Sequence, residues 1–259
     1  MKNMLKFLPE SAGIYMTTVA TIEARMTSSR LPGKVLLEVM GRPILSYLVE
    51  RLKAVPSLDA IVLATTVNAE DDALVSFAES EGILCYRGSE SDVMARVIGA
   101  AELANADTVV EITGDCPLID PQIVEQTIRM FYANTAEYVG NGHVRSYPDG
   151  MDTQVFSLNT LKKSASMTTN PLDREHVTLH IRNSPSIFPQ LHLVAPPEMH
   201  WPELGLTLDE RADFDLIARI IEHFGPDNES FGCMDIIRLL RKEPSLLELN
   251  KNVLRKGDT

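Results

Sequence analysis

Three cationic side chains stand close together in one short stretch, Glu23-Ala-Arg-Met-Thr-Ser-Ser-Arg-Leu-Pro-Gly-Lys34. The cations are Arg25, Arg30 and Lys34, with small hydroxyl residues and Gly33 between them. Like charges on one loop repel one another, and a strongly anionic ligand would relieve that repulsion. Guanidinium groups bind phosphate oxygens in pairs, and glycine allows a close approach of the backbone. The stretch therefore indicates a polyphosphate site, with a solvated basic loop as the open alternative.

The stretch is not a Walker A loop. Gly33-Lys34 is followed by Val35, where that motif requires Ser or Thr, and no glycine stands five residues before Gly33. Any phosphate-binding role must therefore depend on the three cations.

A carboxylate is the second candidate for chemistry. Asp115 follows Gly114 at the end of the apolar run 108–113, which predicts a buried strand. Ligands of open parallel sheets collect at the carboxyl ends of strands, so this carboxylate is expected in the same crevice as the cationic loop. Mg²⁺ takes one or two protein carboxylates together with phosphate oxygens. A turn or helix-capping role for Asp115 stays open.

Apolar runs alternate with helical patterns through the first half of the chain. Strands are predicted over 16–22, 60–66, 83–86 and 108–113, and helices lie between them. This alternation predicts βαβ units and a mostly parallel sheet. From about 137 to 203 the regular alternation of strands and helices stops. This change indicates a small α/β insertion, with helices over about 158–166 and 172–183. A further strand is predicted over 205–208, followed by a helix from 210 to 224 and a last helix over about 234–242.

Composition narrows the possible partners. The 259 residues carry a formal net charge of -12, which disfavours nonspecific binding to nucleic acid or to anionic membranes. The three cysteines show no paired spacing, as expected for reduced thiols in the cytoplasm. The N-terminal residues are too interrupted for a signal peptide or a membrane span. We expect a leader over 1–13 and a single domain over 14–259.

The cationic stretch resembles the signature loop of the nucleotide-sugar cytidylyltransferases, a family that includes the CMP-KDO and CMP-acylneuraminate synthetases. The resemblance is greatest to the spore-coat polysaccharide biosynthesis protein F group, whose loop usually reads Gln-Ala-Arg-Met-x-Ser-x-Arg-Leu-Pro-Gly-Lys. This chain has Glu23 where that group usually has Gln, and Thr27 where Gly is common. The resemblance extends from about residue 18 to residue 250.

The resemblance implies a fold and a reaction. The fold is a three-layer, Rossmann-like nucleotidyltransferase, similar to the GT-A fold, with a mostly parallel sheet, helices on both faces and an insertion for lid and dimer contacts over about 137–203. The implied reaction transfers CMP from CTP to a small anionic sugar or phosphorylated acceptor and releases pyrophosphate. A homodimer, Mg²⁺ as cofactor and an absence of nucleic-acid or membrane partners follow as expectations.

The resemblance also assigns roles to residues. Arg25, Lys34 and Asp115 are the expected catalytic residues, and Asp115 and Asp209 are the expected Mg²⁺ ligands. The expected nucleotide-binding residues are Glu23, Ala24, Arg25, Met26, Arg30, Lys34, Thr65, Thr66, Arg87, Ser89, Asp92 and Gly114. The expected acceptor-binding residues are Asn141, Asp149, Asp152, Arg174, Glu175, His176 and Arg182.

Two other functions are compatible with parts of the pattern. A GT-A-like glycosyltransferase would share the nucleotide-binding core, but it usually carries an Asp-x-Asp metal motif, and here Asp115 is followed by Cys116 and Pro117. A catalytically silent nucleotide-binding protein would explain the unusual Glu23 and the pair Glu210-Arg211, which stands where the family usually has Thr-Pro. Helix capping is the plainer alternative for Asp209, and turn or cap chemistry is the alternative for Thr65, Thr66, Arg87, Ser89 and Asp92. For Arg174, Glu175 and Arg182 the alternative is a set of ion pairs on helix surfaces.

Overall fold

The computed structural model describes residues 16–225 and 230–254, so the leader expected over 1–13 lies outside the described residues. The strands are β1 (Thr18–Glu23), β2 (Glu38–Val39), β3 (Arg42–Pro43), β4 (Ala60–Thr66), β5 (Leu84–Gly88), β6 (Thr108–Thr113), β7 (Tyr138–Gly140), β8 (Gln154–Ser157) and β9 (Gln190–His192). The helices are α1 (Ile44–Lys53), α2 (Asp72–Glu81), α3 (Val93–Leu103), α4 (Pro121–Tyr132), α5 (Leu158–Met167), α6 (Pro171–Glu175), α7 (Leu179–Arg182), α8 (Arg211–Phe224) and α9 (Cys233–Lys242). Short 3₁₀ helices cover Lys34–Leu36, Ala69–Asp71 and Pro244–Leu249.

Seven strands form one sheet in the order β5-β4-β1-β6-β8-β7-β9. The four strands β5, β4, β1 and β6 run parallel to their neighbours, whereas β8 is antiparallel to both β6 and β7. Strand β9 is parallel to β7 and forms one edge of the sheet. The segment 137–203 therefore extends the main sheet by three strands. The prediction of a mostly parallel α/β sheet is confirmed.

Helices cover both faces of this sheet. Ile22 of β1 packs on one face with Leu48 of α1, and Val19 of the same strand packs on the other face with Val97 of α3. Neighbouring side chains of a strand point to opposite faces, so a strand buried on both sides is apolar at nearly every position. A further apolar cluster joins α8 and α9. The molecule therefore has the expected three layers.

Two predicted elements are wrong. The helix predicted over 172–183 is broken into α6 and α7 at Val177, whose φ is 41°. A β-branched residue in this left-handed region is strained, and only the surrounding packing holds it there. Val177 is 2% exposed in the core beside α3, which supplies that packing. The strand predicted over 205–208 is reduced to one isolated bridge between Asp149 and Gly205.

The described residues contain no helix with the length and apolarity that crossing a bilayer would require. Cys85, Cys116 and Cys233 are all unpaired, as their spacing predicts.

Candidate active site

The cationic loop leaves the sheet at the end of β1 and is closed by a tight turn. The Gly33 backbone has a φ of 69°, and its N–H donates to the carbonyl of Met26 at 2.8 Å. Glycine adopts this left-handed conformation without steric cost. The closure brings Lys34, the first residue of the following 3₁₀ helix, back toward the end of the sheet.

Gly114 holds the loop against the end of the neighbouring strand. Its N–H donates to the carbonyl of Glu23 at 2.9 Å, and a Cβ at position 114 would lie 2.8 Å from that oxygen and 2.9 Å from the Cβ of Ala24. Any side chain at this position would push the loop away from β6. The absence of a side chain at Gly114 therefore allows these two backbones to approach closely.

Lys34 brings the two predicted metal ligands together. Its Nζ lies 3.3 Å from Asp115 Oδ2 and 3.3 Å from Asp209 Oδ1, and it also donates to the Leu208 carbonyl. The Leu208 N–H donates in turn to the Asp115 carbonyl at 2.8 Å, which ties the segment before α8 to the end of β6. Two carboxylates that are 94 positions apart in sequence thus share one ammonium group.

This arrangement fits a Mg²⁺ ion. The side chains of Asp115 and Asp209 are 26% and 15% exposed, so both carboxylates keep some access to solvent. The ammonium between them demonstrates that both carboxylates can face a single cation. The described residues contain no group of three or more His, Cys, Asp or Glu side chains that could hold a metal. Phosphate oxygens and water would therefore have to complete the coordination, which is the usual situation for Mg²⁺.

The two arginines of the loop pair with different carboxylates. Arg30 Nη2 lies 2.5 Å from Asp209 Oδ1, and Arg30 Nη1 lies 3.9 Å from Glu210 Oε1. Arg25 Nη1 lies 2.9 Å from Glu90 Oε1 in the loop before α3. Arg30 and Lys34 therefore border the aspartate pair, whereas Arg25 borders the loop that contains Glu90.

Glu90 gathers donors from three segments. Besides Arg25, it accepts hydrogen bonds from Asn68 Nδ2 at 2.9 Å and from Thr27 Oγ1 at 3.1 Å. These hydrogen bonds, first from Asn68 and then from Thr27, lower the pKa of Glu90. Its carboxylate thus occupies the position beside Arg25 that an anionic ligand would otherwise take.

We expect Glu90→Gln to strengthen CTP binding about two- to fivefold, because it removes the charge that competes for the exposed Arg25 guanidinium. Calorimetric titration of CTP at low and high salt measures the change. Glu70→Gln is the matched control, since it removes the same charge from a nearby exposed residue without a contact to Arg25. Equal effects of the two substitutions would contradict the expected competition.

Asp71 fixes the loop to the end of β4. Its carboxylate accepts from the Met26 N–H at 2.7 Å and from the Thr66 N–H at 3.1 Å, and it also accepts from the Thr66 hydroxyl. Burial raises the pKa of Asp71, but the bonds from Met26 and Thr66 outweigh burial, and the net shift is downward. Asp71 therefore positions the cationic loop without belonging to it.

Asp71→Asn is expected to lower the free energy of unfolding by about 1–3 kcal/mol at pH 7, because buried backbone donors lose a charged acceptor. A lowered folded-state pKa contributes stability that is present above the unfolded pKa of about 3.9 and is lost as pH falls through the folded value. The difference between wild type and variant should therefore shrink below about pH 4. Denaturant unfolding at pH 7 and near pH 3.5 measures it, and Asp72→Asn, at an exposed side chain, is the control.

Several predicted nucleotide-binding residues hold the neighbouring loops. Thr65 and Thr66 are fully buried. The Arg87 guanidinium donates to the carbonyls of Thr66 and Asn68 at 2.9 and 2.8 Å. The Ser89 hydroxyl accepts from the Asp92 N–H at 3.0 Å, in the turn that opens α3. These contacts explain how the loops keep their shape. A nucleotide contact by these residues stays a prediction.

The predicted acceptor-binding residues fall into two groups. Asp149, Asp152 and Arg182 are all partly exposed, and Asp152 interacts electrostatically with the other two and with Asp115. Burial and the neighbouring Asp149 raise the pKa of Asp152 to about 6. The remaining residues have other partners or face solvent.

Asn141 and Arg174 each hold two segments of the chain together. Asn141 donates to the Met151 carbonyl and accepts from the Thr153 N–H, both at 2.7 Å. Arg174 binds Asp92 with two nitrogens, at 2.9 and 2.5 Å, and so fastens α6 to the start of α3. Glu175 and His176 are exposed beside this pair.

Four polar residues near this site were not predicted from the sequence. Glu111 on β6 is 5% exposed, Arg96 on α3 is 4% exposed, and Asp71 is fully buried. Gln154 begins β8 and contacts Glu111. The only available signal was a charged residue within an apolar strand, Glu111 in Thr-Val-Val-Glu-Ile-Thr, which is unusual for a strand covered on both faces.

Comparison with known proteins identifies the family. A family model described as cytidylyltransferase matches residues 19–224. An uncharacterized protein of Methanocaldococcus jannaschii is 34% identical over 242 residues, which cover 93% of this chain and 98% of that protein. The spore coat polysaccharide biosynthesis protein SpsF of Bacillus subtilis is 30% identical over 228 residues, which cover 86% of this chain and 93% of SpsF.

A solved structure extends the likeness to three dimensions. A cytidylyltransferase from Leptospira borgpetersenii serovar Hardjo-bovis superposes with a TM-score of 0.86 at 31% identity, over 93% of this chain and 100% of that one. The family match contains the cationic loop, Asp115 and Asp209. The chain therefore belongs to the cytidylyltransferase family and is a CTP-dependent nucleotidyltransferase.

Proposed function

We propose that the protein transfers CMP from CTP to a small anionic sugar-acid or sugar-phosphate acceptor and releases pyrophosphate, in the biosynthesis of a surface polysaccharide or glycoconjugate. The convergence of Lys34, Asp115 and Asp209 on one point beside the cationic loop carries this proposal. The likeness to a spore coat polysaccharide biosynthesis protein supports a sugar-related acceptor.

The cations of the loop bind the phosphates in this proposal. Arg25, Arg30 and Lys34 hold the β- and γ-phosphates and offset the negative charge of the departing pyrophosphate. Because Asp71 and Gly33 fix the loop in place, little reorganisation accompanies the reaction. Catalysis then consists mainly of positioning and charge stabilisation.

Asp115 and Asp209 hold the metal. Mg²⁺ bound there would supply positive charge against the phosphates of CTP. An acceptor oxygen forms a bond to the α-phosphorus while the bond from that phosphorus to the bridging oxygen breaks, and pyrophosphate leaves with the electron pair. An acceptor hydroxyl gives its proton to water or to a carboxylate of the cleft, whereas an ionised acceptor phosphate has none to lose.

One assay tests the proposal. Purified protein receives each of the four nucleoside triphosphates with Mg²⁺ and a panel of sugar acids and sugar phosphates, and released pyrophosphate is measured. We expect release with CTP and at least one acceptor. Calorimetric binding of CTP without pyrophosphate release from any acceptor would favour the silent nucleotide-binding alternative. Release that requires a nucleotide-sugar donor would favour a glycosyltransferase.

We also expect a homodimer that pairs through the segment 137–203. Strand β9, which belongs to this segment, lies at an edge of the sheet, and an unpaired strand edge is a ready surface for association. Light scattering of the purified protein measures the assembly.

A further inference from the structure

The segment directly before α8 carries Asp209 without the support of a regular strand. It forms one isolated bridge, between Asp149 and Gly205, in place of the strand that the sequence predicts. On the side of the sheet, the Leu208 N–H donates to the Asp115 carbonyl at 2.8 Å. A segment outside a sheet ladder keeps its shape through individual hydrogen bonds. The direction of the Asp209 side chain therefore depends on the groups that bind this backbone.

A fully buried carboxylate binds the backbone at Asp209. It belongs to Asp213, which lies in the first turn of α8 and is 0% exposed. Its Oδ2 accepts from the N–H of Asp209 at 3.1 Å and from the N–H of Glu210 at 2.9 Å. Hydrogen bonds to a charged acceptor are stronger than neutral ones, and burial strengthens them further. Asp213 therefore fixes the position from which the Asp209 side chain leaves the backbone.

Asn250 holds the Asp213 carboxylate from the other side. Its Nδ2 donates to Asp213 Oδ1 at 2.9 Å and to the Gly205 carbonyl at 3.0 Å. A side-chain amide nitrogen has two N–H donors, so both are used, and they join the first turn of α8 to the segment before it. Asn250 is only 8% exposed, and loss of its amide would leave two acceptors with one donor fewer each in a place that water reaches poorly.

Asn250 belongs to a C-terminal segment, residues 244–254, that contacts the site at two points. It directly follows the 3₁₀ helix Pro244–Leu249, whose leucines pack against the apolar cluster of α8 and α9. Further along, the Leu254 carbonyl accepts from Arg30 Nη1 of the cationic loop at 3.3 Å. The family model ends at residue 224. These contacts therefore come from a part of the chain outside the family match.

We propose that Asn250 is a positioning residue for the metal site, because it holds the backbone of Asp209 through Asp213 and so keeps the Asp209 carboxylate directed at the cation that Asp115 also faces. This inference rests on the proposed function, since it concerns a predicted Mg²⁺ ligand. Asn250 itself touches neither the metal nor the nucleotide. The segment 244–254 nevertheless belongs to the reaction centre.

The metal affinity of the nucleotide complex tests the inference. Protein in excess over a CTP analogue, with a methylene group between the α- and β-phosphorus, is titrated with Mn²⁺ in place of Mg²⁺, and free Mn²⁺ is measured by electron paramagnetic resonance. Asn250→Ala should weaken Mn²⁺ binding about tenfold, as the loss of a group that orients a metal ligand typically does. Asn250→Leu fills the space without a donor and should give the same result, which separates the lost hydrogen bonds from the lost volume.

A double-mutant cycle separates positioning of Asp209 from a general effect on stability. In the Asp209→Asn background, Asn250→Ala should change the Mn²⁺ affinity by about twofold or less, because the ligand that it positions is already lost. A role confined to stability would lower the thermal unfolding midpoint and leave the Mn²⁺ affinity unchanged. Asn252→Ala is the matched control, at an exposed side chain of the same segment, and should behave as wild type.

Unchanged Mn²⁺ affinity in Asn250→Ala and Asn250→Leu would overturn this inference, and so would an equal loss of affinity in the Asp209→Asn background. Failure of both variants to fold would assign Asn250 to the stability of the fold and overturn it as well. The same holds if the wild-type complex binds no Mn²⁺. Pyrophosphate release belongs to the test of the proposed function, so the two can fail separately.

Discussion

Lys34→Ala is expected to reduce pyrophosphate release from CTP by about 10²–10³-fold, the effect of removing one preorganised charge from a phosphoryl-transfer site. The Lys34 side chain is only 12% exposed and lies between two carboxylates. Its loss removes the cation that contacts both aspartates, and Arg30 then compensates the charge of Asp209 alone. Initial rates at saturating CTP and acceptor measure the effect.

A second measurement on the same variant does not depend on turnover. Because the Lys34 ammonium neutralises both aspartates, its removal should strengthen binding of Mg²⁺ added without nucleotide, as measured by calorimetry. Lys53→Ala is the control, since Lys53 is a half-exposed residue that pairs with Glu81. Near-normal pyrophosphate release by Lys34→Ala would refute the assigned role.

Asp115→Asn should lower turnover by about 10²-fold or more and raise the Mg²⁺ concentration needed for half-maximal rate. The amide keeps the shape of the side chain but loses the charge that binds a divalent cation. Pyrophosphate release measured across a Mg²⁺ titration checks both effects. Asp209→Asn should behave alike, because its carboxylate faces the same point.

The control for this series is Asp215→Asn. Asp215 lies on α8 with a 46% exposed side chain that pairs with Arg211. The Asp215→Asn variant should leave the Mg²⁺ dependence of pyrophosphate release unchanged. A normal Mg²⁺ dependence in both Asp115→Asn and Asp209→Asn would show that these two carboxylates do not bind the metal.

The local pattern of apolar residues was sufficient to predict the core strands. The limits of β4 and β6 agree with the apolar runs 60–66 and 108–113, because a strand buried on both faces is apolar at nearly every position. The cationic loop was also recognisable, since its residues are contiguous. By contrast, the break at Val177 has no local signal. Its helical pattern continues through 183, and only packing against the core beside α3 selects the strained backbone.

Contacts between distant residues could not be predicted from spacing. Arg174 was expected to bind the acceptor, yet it pairs with Asp92, 82 positions away. Lys34 was expected to face phosphates, and it also bridges two aspartates from other segments. Such pairs depend on which strands become neighbours, and side-chain charge alone does not specify the partner.

The sequence by itself determined the class of the fold, the family resemblance and the cationic loop, because these depend on residues that are neighbours along the chain. Only the tertiary structure decided that Asp115 and Asp209 share one ammonium group and that Gln154 of β8 donates to Glu111 of β6. The physical reason is that strand order and register set these approaches, and both result from packing of the whole sheet.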